Sequence, residues 1–287
     1  MSPRAGFIGL GNIGKPLASH LAPKGFDAIV YDIAAEPVAE LVAGGAKAAA
    51  TPREVGANAD VIGICVPEDD HVRAVMLGED GLLAGAAPGT VVAIHSTVQP
   101  ATVLELAEAA KAVQVSVIDA CVTGGDARAA EGAVTYLVGG DDEVVAKARP
   151  YLDAASSDVI HAGELGNGAK LKLCINVVTY IQWGAAWEGM KLAMASGLPP
   201  EVFEAAGKAN GQLTELQLRY LVGVKMPPEV IKTEPFQKLV RGHMKTAEKD
   251  LAWALKLARD SELSLPVSGL VSQMMAKLYG VEDAGRR

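Results

Sequence analysis

The sequence predicts an α/β fold in its first part and an all-α fold in its second, and three observations support this. First, short apolar runs alternate with helical patterns up to about residue 163, as in the βα units of a parallel sheet. Second, the pattern from there to the C-terminus is helical. Third, one long helical pattern without an internal proline runs from residue 166 to about residue 196. We therefore predict two domains, residues 1–163 and 164–287, joined by this long helix.

A glycine motif follows the first predicted strand, which covers residues 5–9. Gly9, Gly11 and Gly14 stand between that strand and a helix expected over residues 15–24. In such a turn the first glycine permits the bend and the second lets a pyrophosphate approach the backbone. The third lets the helix pack closely on the strand. This context predicts a Rossmann-type dinucleotide site that includes Asn12 and Ile13.

An acid closes the second predicted strand, at residues 28–31. Asp32 lies 23 residues after Gly9, which is near the position where a carboxylate accepts a hydrogen bond from a ribose 2′-hydroxyl. A carboxylate there repels a 2′-phosphate, and no arginine follows to bind one. The sequence therefore predicts NAD as the cofactor, in preference to NADP.

Further strands are predicted at residues 61–66, 90–94, 115–120, 134–138 and 159–161. The carboxyl ends of parallel strands meet at one edge of a sheet, where ligands of open α/β sheets bind. Residues at these ends include Pro67, Ser96, Thr97 and Thr123. Ser96 and Thr97 have an equally good alternative role as caps of the helix that Pro100 begins.

The motif Thr123-Gly124-Gly125 comes directly after one of these strands. A hydroxyl and backbone N–H groups without large side chains around them form a nest that suits a carboxylate. We therefore predict an anion-binding site at these three residues.

The long helix carries Lys172 and Asn176 four residues apart, and therefore on one face. Tyr180, Trp183 and Trp187 continue this face, whereas Lys170 lies on another. A lysine in a partly apolar setting loses solvation of its charged form, which lowers its pKa towards the range useful for proton transfer. Taken alone, Lys172 is better interpreted as a surface lysine whose stem packs on apolar neighbours, and the motifs in the rest of the chain reverse this preference.

Composition excludes several classes of protein. The chain has 287 residues, half of them apolar and 21% charged, with a net charge of −8 and no run of Lys or Arg. Nucleic acid and anionic membranes are therefore not expected partners. No signal peptide or membrane span is predicted, and three scattered cysteines suggest buried, reduced thiols in a cytoplasmic protein. The five histidines form no metal-ligand pattern, so no metal is expected.

With these motifs in order, the chain resembles the β-hydroxyacid dehydrogenases, which include 3-hydroxyisobutyrate dehydrogenase and tartronate semialdehyde reductase. The resemblance covers nearly the whole chain. It rests on the glycine motif at residues 6–14, the segment 119–125, Gly166-Asn167-Gly168 with Lys172 and Asn176, and Lys249-Asp250-Leu251. It implies a small hydroxy-acid substrate and a homodimer or homotetramer.

The resemblance also implies roles for single residues. Lys172 would be the general acid/base, Asn176 would hold the substrate, and Thr123 with Gly124 and Gly125 would bind its acid group. The cofactor would be lined by Val66, Pro67, Thr97 and Lys249. Thr123 and Cys121 depart from the family's usual Ser and Pro. Arg128 stands where the family usually has Gly, and is either a surface charge or a sign of a longer, doubly charged or sulfonate-type substrate.

Three functions remain open at this point. The first is an NAD-dependent dehydrogenase of a small β-hydroxy acid. The second is an imine reductase, which shares the expected fold but resembles NADPH enzymes that lack the lysine; Asp32 and Lys172 both oppose it. The third is a scaffold that binds NAD without catalysis, which the presence of Lys172, Asn176 and Lys249 opposes.

Overall fold

The computed structural model describes residues 2–282. By packing, the chain divides into two compact units, one ending at Lys172 and the other beginning at Leu173. The first unit contains one eight-stranded sheet with the strand order β3-β2-β1-β4-β5-β6-β7-β8. Its strands are β1 (Arg4–Ile8), β2 (Asp27–Tyr31), β3 (Lys47–Ala48), β4 (Val61–Ile64), β5 (Val91–Ile94), β6 (Ser116–Thr123), β7 (Val134–Gly139) and β8 (Ser156–His161).

Strands β1 to β6 pair in parallel, whereas β7 runs antiparallel to β6 and parallel to β8. The α/β prediction for this part is confirmed. The sequence did not reveal β3, because this strand has two residues and both are exposed. The carboxyl ends of β1, β2, β4, β5 and β6 therefore lie at one edge of the sheet.

Helices of the first unit connect these strands. They are α1 (Gly14–Ser19), α2 (Ala35–Ala43), α3 (Pro52–Asn58), α4 (Asp69–Leu77), α5 (Pro100–Lys111), α6 (Gly125–Ala130) and α7 (Asp142–Leu152). The expected helix over residues 15–24 is too long, because α1 ends at Ser19 and turns continue to Gly25. Pro23 accounts for this, since it lacks an N–H and disfavours the helical conformation of the residue before it.

The central strands of the sheet are buried on both faces, as in other parallel sheets, whereas the outer strands β3 and β8 are largely exposed. Successive side chains of β1 point to opposite faces, so Phe7 joins one apolar core and Ile8 the other. Ile118 and Tyr136 lie with Phe7, whereas Ile64 lies with Ile8. Burial on both sides holds the strand ends rigidly.

One polar side chain, His95, is buried among aromatic rings at the end of β5. Its ring stacks between Phe7 and Tyr151 and tilts against Tyr136. Its Nδ1 lies 2.8 Å from the carbonyl oxygen of Ala120, and its Nε2 lies 3.1 Å from the Tyr151 hydroxyl. Burial lowers the pKa of His95 from 6.5 to about 4, although the Ala120 carbonyl favours the charged form. His95 is therefore a neutral core residue near neutral pH.

The second unit is helical, as predicted, and in residues 173–282 no strand is found. Helix α8 (Asn167–Ala195) contains the last residues of the first unit and the first of the second. It is followed by α9 (Pro200–Ala209), α10 (Glu215–Lys225), α11 (Pro228–Ile231), α12 (Glu234–Asp260), α13 (Pro266–Gln273) and α14 (Met275–Leu278). Prolines stand in the first turns of α9, α11, α12 and α13, where a missing N–H costs nothing.

Helix α12 begins at Glu234 and ends at Asp260. Its apolar face, which includes Met244 and Leu251, packs in a core with Tyr180 of α8. Among the described residues no helix is long and apolar enough to cross a membrane.

The three cysteines form no disulfide, and the prediction that all of them are buried is wrong for one of them. Cys121 is buried and Cys65 is half-buried, whereas Cys174 is exposed on α8. Burial raises the pKa of the Cys65 thiol to about 12, which leaves it unreactive.

Candidate active site

The glycine loop after β1 has one open position between two closely packed ones. Gly9 has a φ of +91°, and a Cβ added there would lie 2.8 Å from a Val66 methyl carbon. A Cβ on Gly14 would overlap the carbonyl oxygen of Gly9. A Cβ on Gly11 would meet no atom within 4 Å. Gly9 and Gly14 are therefore required by the fold, while Gly11 keeps space free for a ligand such as a pyrophosphate.

Two further loop residues were predicted to bind the cofactor. Asn12 is exposed beside the open position at Gly11, and Ile13 is half-buried against the core. The backbone N–H of Lys15 donates to the carbonyl of Gly11, at 3.0 Å, which closes the first turn. The residues present thus fit a dinucleotide.

Asp32 is held in a fixed orientation at the end of β2. Its Oδ2 accepts a hydrogen bond from the backbone N–H of Leu10, at 2.5 Å, and its Oδ1 accepts one from Ala34, at 2.8 Å. Its carboxylate is thereby tied to the glycine loop. The side chain is half-buried, so this negative charge is still accessible to a ligand.

The ends of β4 and β5 are tied together by Ser96. Its hydroxyl accepts a hydrogen bond from the backbone N–H of Val66, at 2.8 Å. Val66 and Thr97 are half-buried at this edge of the sheet, and Pro67 is exposed there. The expectation that Ser96 caps α5 is therefore wrong.

The start of α5 is held by a different residue. The Asp69 carboxylate accepts hydrogen bonds from the backbone N–H of Gln99, at 3.0 Å, and from the Thr102 hydroxyl, at 2.6 Å. Asp69 is the first residue of α4, so this contact joins two helix starts that are about thirty positions apart. No local sequence pattern indicates it.

The predicted anion nest lies where β6 ends. Thr123 is half-buried, and Gly124 and Gly125 have φ values of +118° and +78°. Because both φ values are positive, backbone N–H groups here can converge on one ligand atom. A Cβ on Gly125 would meet no atom within 4 Å, so this face of the nest is open.

Arg128 packs beside the nest. A Cβ on Gly124 would lie 2.9 Å from the Arg128 Cδ, and the guanidinium donates to the Ser157 hydroxyl, at 3.1 Å. Arg128 is an exposed residue, and these contacts explain why its side chain lies over Gly124. A contact between Arg128 and a substrate stays a prediction.

The start of α8 lies directly against the sheet. Gly166 has a φ of +90°, and a Cβ on Gly168 would lie 2.9 Å from the backbone nitrogen of Gly139 in β7. A Cβ on Gly139 would in turn lie 2.7 Å from the carbonyl oxygen of Glu164. The glycines of the Gly166-Asn167-Gly168 motif thus allow two backbones to touch.

Lys172 is half-buried and follows this docked turn by less than two turns of helix. Lys170 is exposed, as predicted, and donates to the Asn167 side chain, at 3.1 Å. The two lysines therefore have different surroundings, although they are two residues apart.

In the second unit, Asp250 connects two of the predicted site residues. Its Oδ2 accepts a hydrogen bond from the Asn176 amide, at 2.7 Å, and one from the Tyr180 hydroxyl, at 3.3 Å. Its Oδ1 lies 3.0 Å from the Lys249 ammonium, in a pair whose side chains are 4% and 9% exposed. Burial, together with the charge of Asp250, raises the pKa of Tyr180 well above its usual value, so Tyr180 remains a donor.

Asp250 was not among the predicted site residues. An acid on the apolar face of an otherwise amphipathic helix is the signal that could have found it. In the described part of the chain, no three His, Cys, Asp or Glu side chains are grouped so that they could hold a metal ion.

The first unit thus gathers Gly9, Gly11, Asp32, Val66 and Thr97, with the nest, at the carboxyl edge of one parallel sheet. An open glycine turn, a fixed acid and a crevice at this edge define a dinucleotide-binding oxidoreductase domain.

Comparisons with known proteins agree with this class. Residues 4–163 match the family model described as the NAD binding domain of 6-phosphogluconate dehydrogenase. Residues 166–286 match the model described as NAD-binding of NADP-dependent 3-hydroxyisobutyrate dehydrogenase. The chain belongs to the β-hydroxyacid dehydrogenase family. It is an enzyme, with NAD as its cofactor.

Two relatives and one solved structure illustrate the similarity. The NAD-dependent L-serine dehydrogenase of Pseudomonas aeruginosa is 36% identical, over 92% of this chain and 88% of its own. A probable mitochondrial 3-hydroxyisobutyrate dehydrogenase of Dictyostelium discoideum is 35% identical, over 97% and 85%. The crystal structure of 3-hydroxyisobutyrate dehydrogenase from Salmonella typhimurium superposes with a TM-score of 0.82 at 26% identity, covering 96% of this chain and 93% of that one.

Proposed function

We propose that the protein is an NAD-dependent dehydrogenase of a small β-hydroxy acid, with Lys172 as the general acid/base. The observation that supports this most directly concerns β6 and α8. Lys172 follows the turn of α8 that touches the sheet, and the anion nest ends β6 in the same unit. A base on a rigid helix and an acid-binding nest are the two groups that oxidation of a hydroxy acid requires.

In this proposal the chain's own residues bind the substrate and move one proton. Thr123, Gly124 and Gly125 bind the substrate's carboxylate. Lys172 takes the proton of the substrate hydroxyl during oxidation and returns it during reduction. Asn176 holds the substrate with its amide, whose orientation is set by the bond that its Nδ2 donates to Asp250.

The cofactor would be held by the glycine loop, by Asp32 and by the residues at the next strand ends. NAD supplies a carbon that accepts a hydride when it is bound. The proposed cofactor-binding residues are Gly9, Gly11, Asn12, Ile13, Gly14, Asp32, Val66, Pro67, Thr97 and Lys249.

A substrate panel tests the proposed function. Purified protein is offered 3-hydroxyisobutyrate, L-serine, tartronate semialdehyde with NADH, and a cyclic imine with NADPH. Turnover of a hydroxy acid or its aldehyde is expected. Turnover of the imine alone would make the chain an imine reductase, and NAD binding without any turnover would make it a scaffold.

We expect kcat/KM to be about ten- to a hundredfold higher with NAD than with NADP. A 2′-phosphate placed against the fixed carboxylate of Asp32 should cost roughly 1–3 kcal/mol. Steady-state kinetics with both cofactors measure this ratio. Asp32→Asn, which keeps the shape of the side chain and removes its charge, should lower the ratio of kcat/KM with NAD to kcat/KM with NADP. A preference of the wild type for NADP would contradict the prediction.

We expect Thr123→Val to raise KM for the acid substrate about ten- to a hundredfold, because a hydrogen bond to a charged group is worth roughly 1.5–3 kcal/mol. The Kd for NAD should not change, since Thr123 lies at the end of β6 and not in the glycine loop. Kinetics at varied substrate and a fluorescence titration with NADH measure the two constants. Thr90→Val, at a buried threonine just before β5 and therefore at the opposite edge of the sheet, is the matched control and should leave KM unchanged.

We further propose that residues 1–163 and 164–287 act as the cofactor and substrate domains of a cytoplasmic homodimer or homotetramer. Helix α8 supports an oligomer, because Val178 and Leu192 are 50% and 69% exposed on it. A second copy of the chain packed along this helix would cover both side chains. Light scattering of the purified chain tests this.

A further inference from the structure

One buried carboxylate in the first unit has no place in the roles assigned above. Asp119 lies in the middle of β6, between Ile118 and Ala120, and is 0% exposed. Its Oδ1 accepts a hydrogen bond from the backbone N–H of Gly166, at 2.8 Å. Its Oδ2 accepts one from the backbone N–H of Ala169, at 2.6 Å. One side chain of the sheet thus binds both ends of the first turn of α8.

These contacts favour the charged form of Asp119, because both of its oxygens accept hydrogen bonds from backbone N–H groups. Burial raises the pKa of Asp119 above its usual value, and the backbone N–H groups of Gly166, Ala169 and Gly168 oppose this effect. The first turn of a helix carries unpaired N–H groups and a partial positive charge, which stabilise a buried anion. The charge and the helix start therefore stabilise each other.

The position of Asp119 along its strand joins two parts of the proposed site. Thr123 is four residues further along β6, or about 13 Å at the usual rise of a strand. Lys172 is three residues beyond Ala169, less than one turn of helix. A shift of the first turn of α8 against β6 would therefore change the distance between Lys172 and the nest.

We propose that Asp119 is a positioning residue, which fixes Lys172 relative to the anion nest by fastening the start of α8 to β6. The inference rests on the proposed function, because it assumes that Lys172 is the acid/base. Asp119 touches neither substrate nor cofactor in this proposal and acts only through Lys172.

Asp119→Asn is the most informative variant. It keeps the shape of the side chain but turns one acceptor oxygen into an NH2 donor, which then faces a backbone N–H. The close backbone contact at Gly139 and Gly168 leaves little room to relieve this clash of donors except by moving the start of α8. We expect kcat to fall about 10- to 100-fold, since a displacement near 1 Å can cost a hundredfold in rate. KM for NAD should stay within about twofold of wild type, because the glycine loop is unaffected.

A double-mutant cycle with K172A separates positioning from a general structural role. If Asp119 acts through Lys172, D119N should lower kcat in the wild type but not further in the K172A background. An equal additional loss in K172A would overturn the proposal, as would a wild-type kcat in D119N. Glu164→Gln is the control, because it removes an exposed acid just before α8 and should leave kcat unchanged.

The folding of each variant is checked by circular dichroism and by NADH binding. If D119N does not fold, D119S is measured in the same cycle, since serine keeps an acceptor without the charge. In the wild type, hydrogen exchange at the amides of Gly166 and Ala169 should be slow; exchange as fast as in an open loop would overturn the proposal by itself. If K172A keeps full activity, the proposed function fails, whereas an inactive K172A with a fully active D119N refutes only this inference.

Discussion

Replacing Lys172 by alanine is expected to lower kcat by about 10²–10⁴-fold, the usual span for a lost acid/base group. The hydroxyl proton must leave as the hydride leaves the same carbon, and Lys172 is the base that the motif provides. Folding and NADH binding should be unchanged, because Lys172 is half-buried on the surface of α8 and not in the core. Steady-state rates of alcohol oxidation measure the loss.

Lys170→Ala is the control for this experiment, since Lys170 is exposed and bonds the Asn167 side chain. It should keep most of the wild-type rate. In the wild type, the rate of oxidation should rise with pH as the Lys172 ammonium loses its proton, and K172A should lack that rise. A fully active K172A, or an inactive K170A, would show that the wrong lysine has been assigned.

Lowering the pH from 6.5 to 4 is expected to reduce the free energy of unfolding of the first unit by about 3 kcal/mol, through the titration of His95 alone. In the unfolded chain His95 takes up a proton below its usual pKa of 6.5, whereas in the folded protein it does so only near pH 4. In this window the unfolded state binds more protons. The contribution of His95 to the free energy of unfolding is therefore fully present above pH 6.5 and is lost as the pH is lowered towards 4.

Urea unfolding at pH 7 and at about pH 4.5 measures this loss. Circular dichroism is the appropriate signal, because Trp183, Trp187 and Trp253 all belong to the second unit. His95→Gln cannot be charged and should lose stability less steeply with falling pH, although it is less stable at pH 7. His71→Gln, at an exposed position of α4, should keep the wild-type slope; equal slopes in all three proteins would contradict the prediction.

Local patterns predicted the strands and the glycine loop because those features depend on neighbouring residues. The spacing of Gly9, Gly11 and Gly14 predicted which positions of the loop are tightly packed. The distance of Asp32 from Gly9 along the chain predicted its place beside that loop. Proline is the first residue of α9, α11 and α13, where its restricted backbone conformation suits the start of a helix.

The contacts missed by the sequence are those between distant residues. A cap of α5 was one of two roles left open for Ser96, but its hydroxyl bonds Val66, and the start of α5 is held by Asp69. Asp119 was seen only as part of a motif, whereas its partners lie 47 and 50 residues away. An acid inside an apolar strand was the available signal, because a buried charge requires a partner. Which residues are the partners of Asp119 could not be deduced without the fold.

The close contact between the backbones at Gly139 and Gly168 limits how this chain can evolve. Any side chain at either position would push the start of α8 away from β7, so both positions are closed to variation even though they belong to no binding surface. Thr123 and Arg128 border the nest and take no part in that contact, so they can be exchanged without disturbing it. A library intended to change the accepted acid should therefore randomise these two positions and keep both glycines. The accepted substrate could then change while the start of α8 keeps its place against β7.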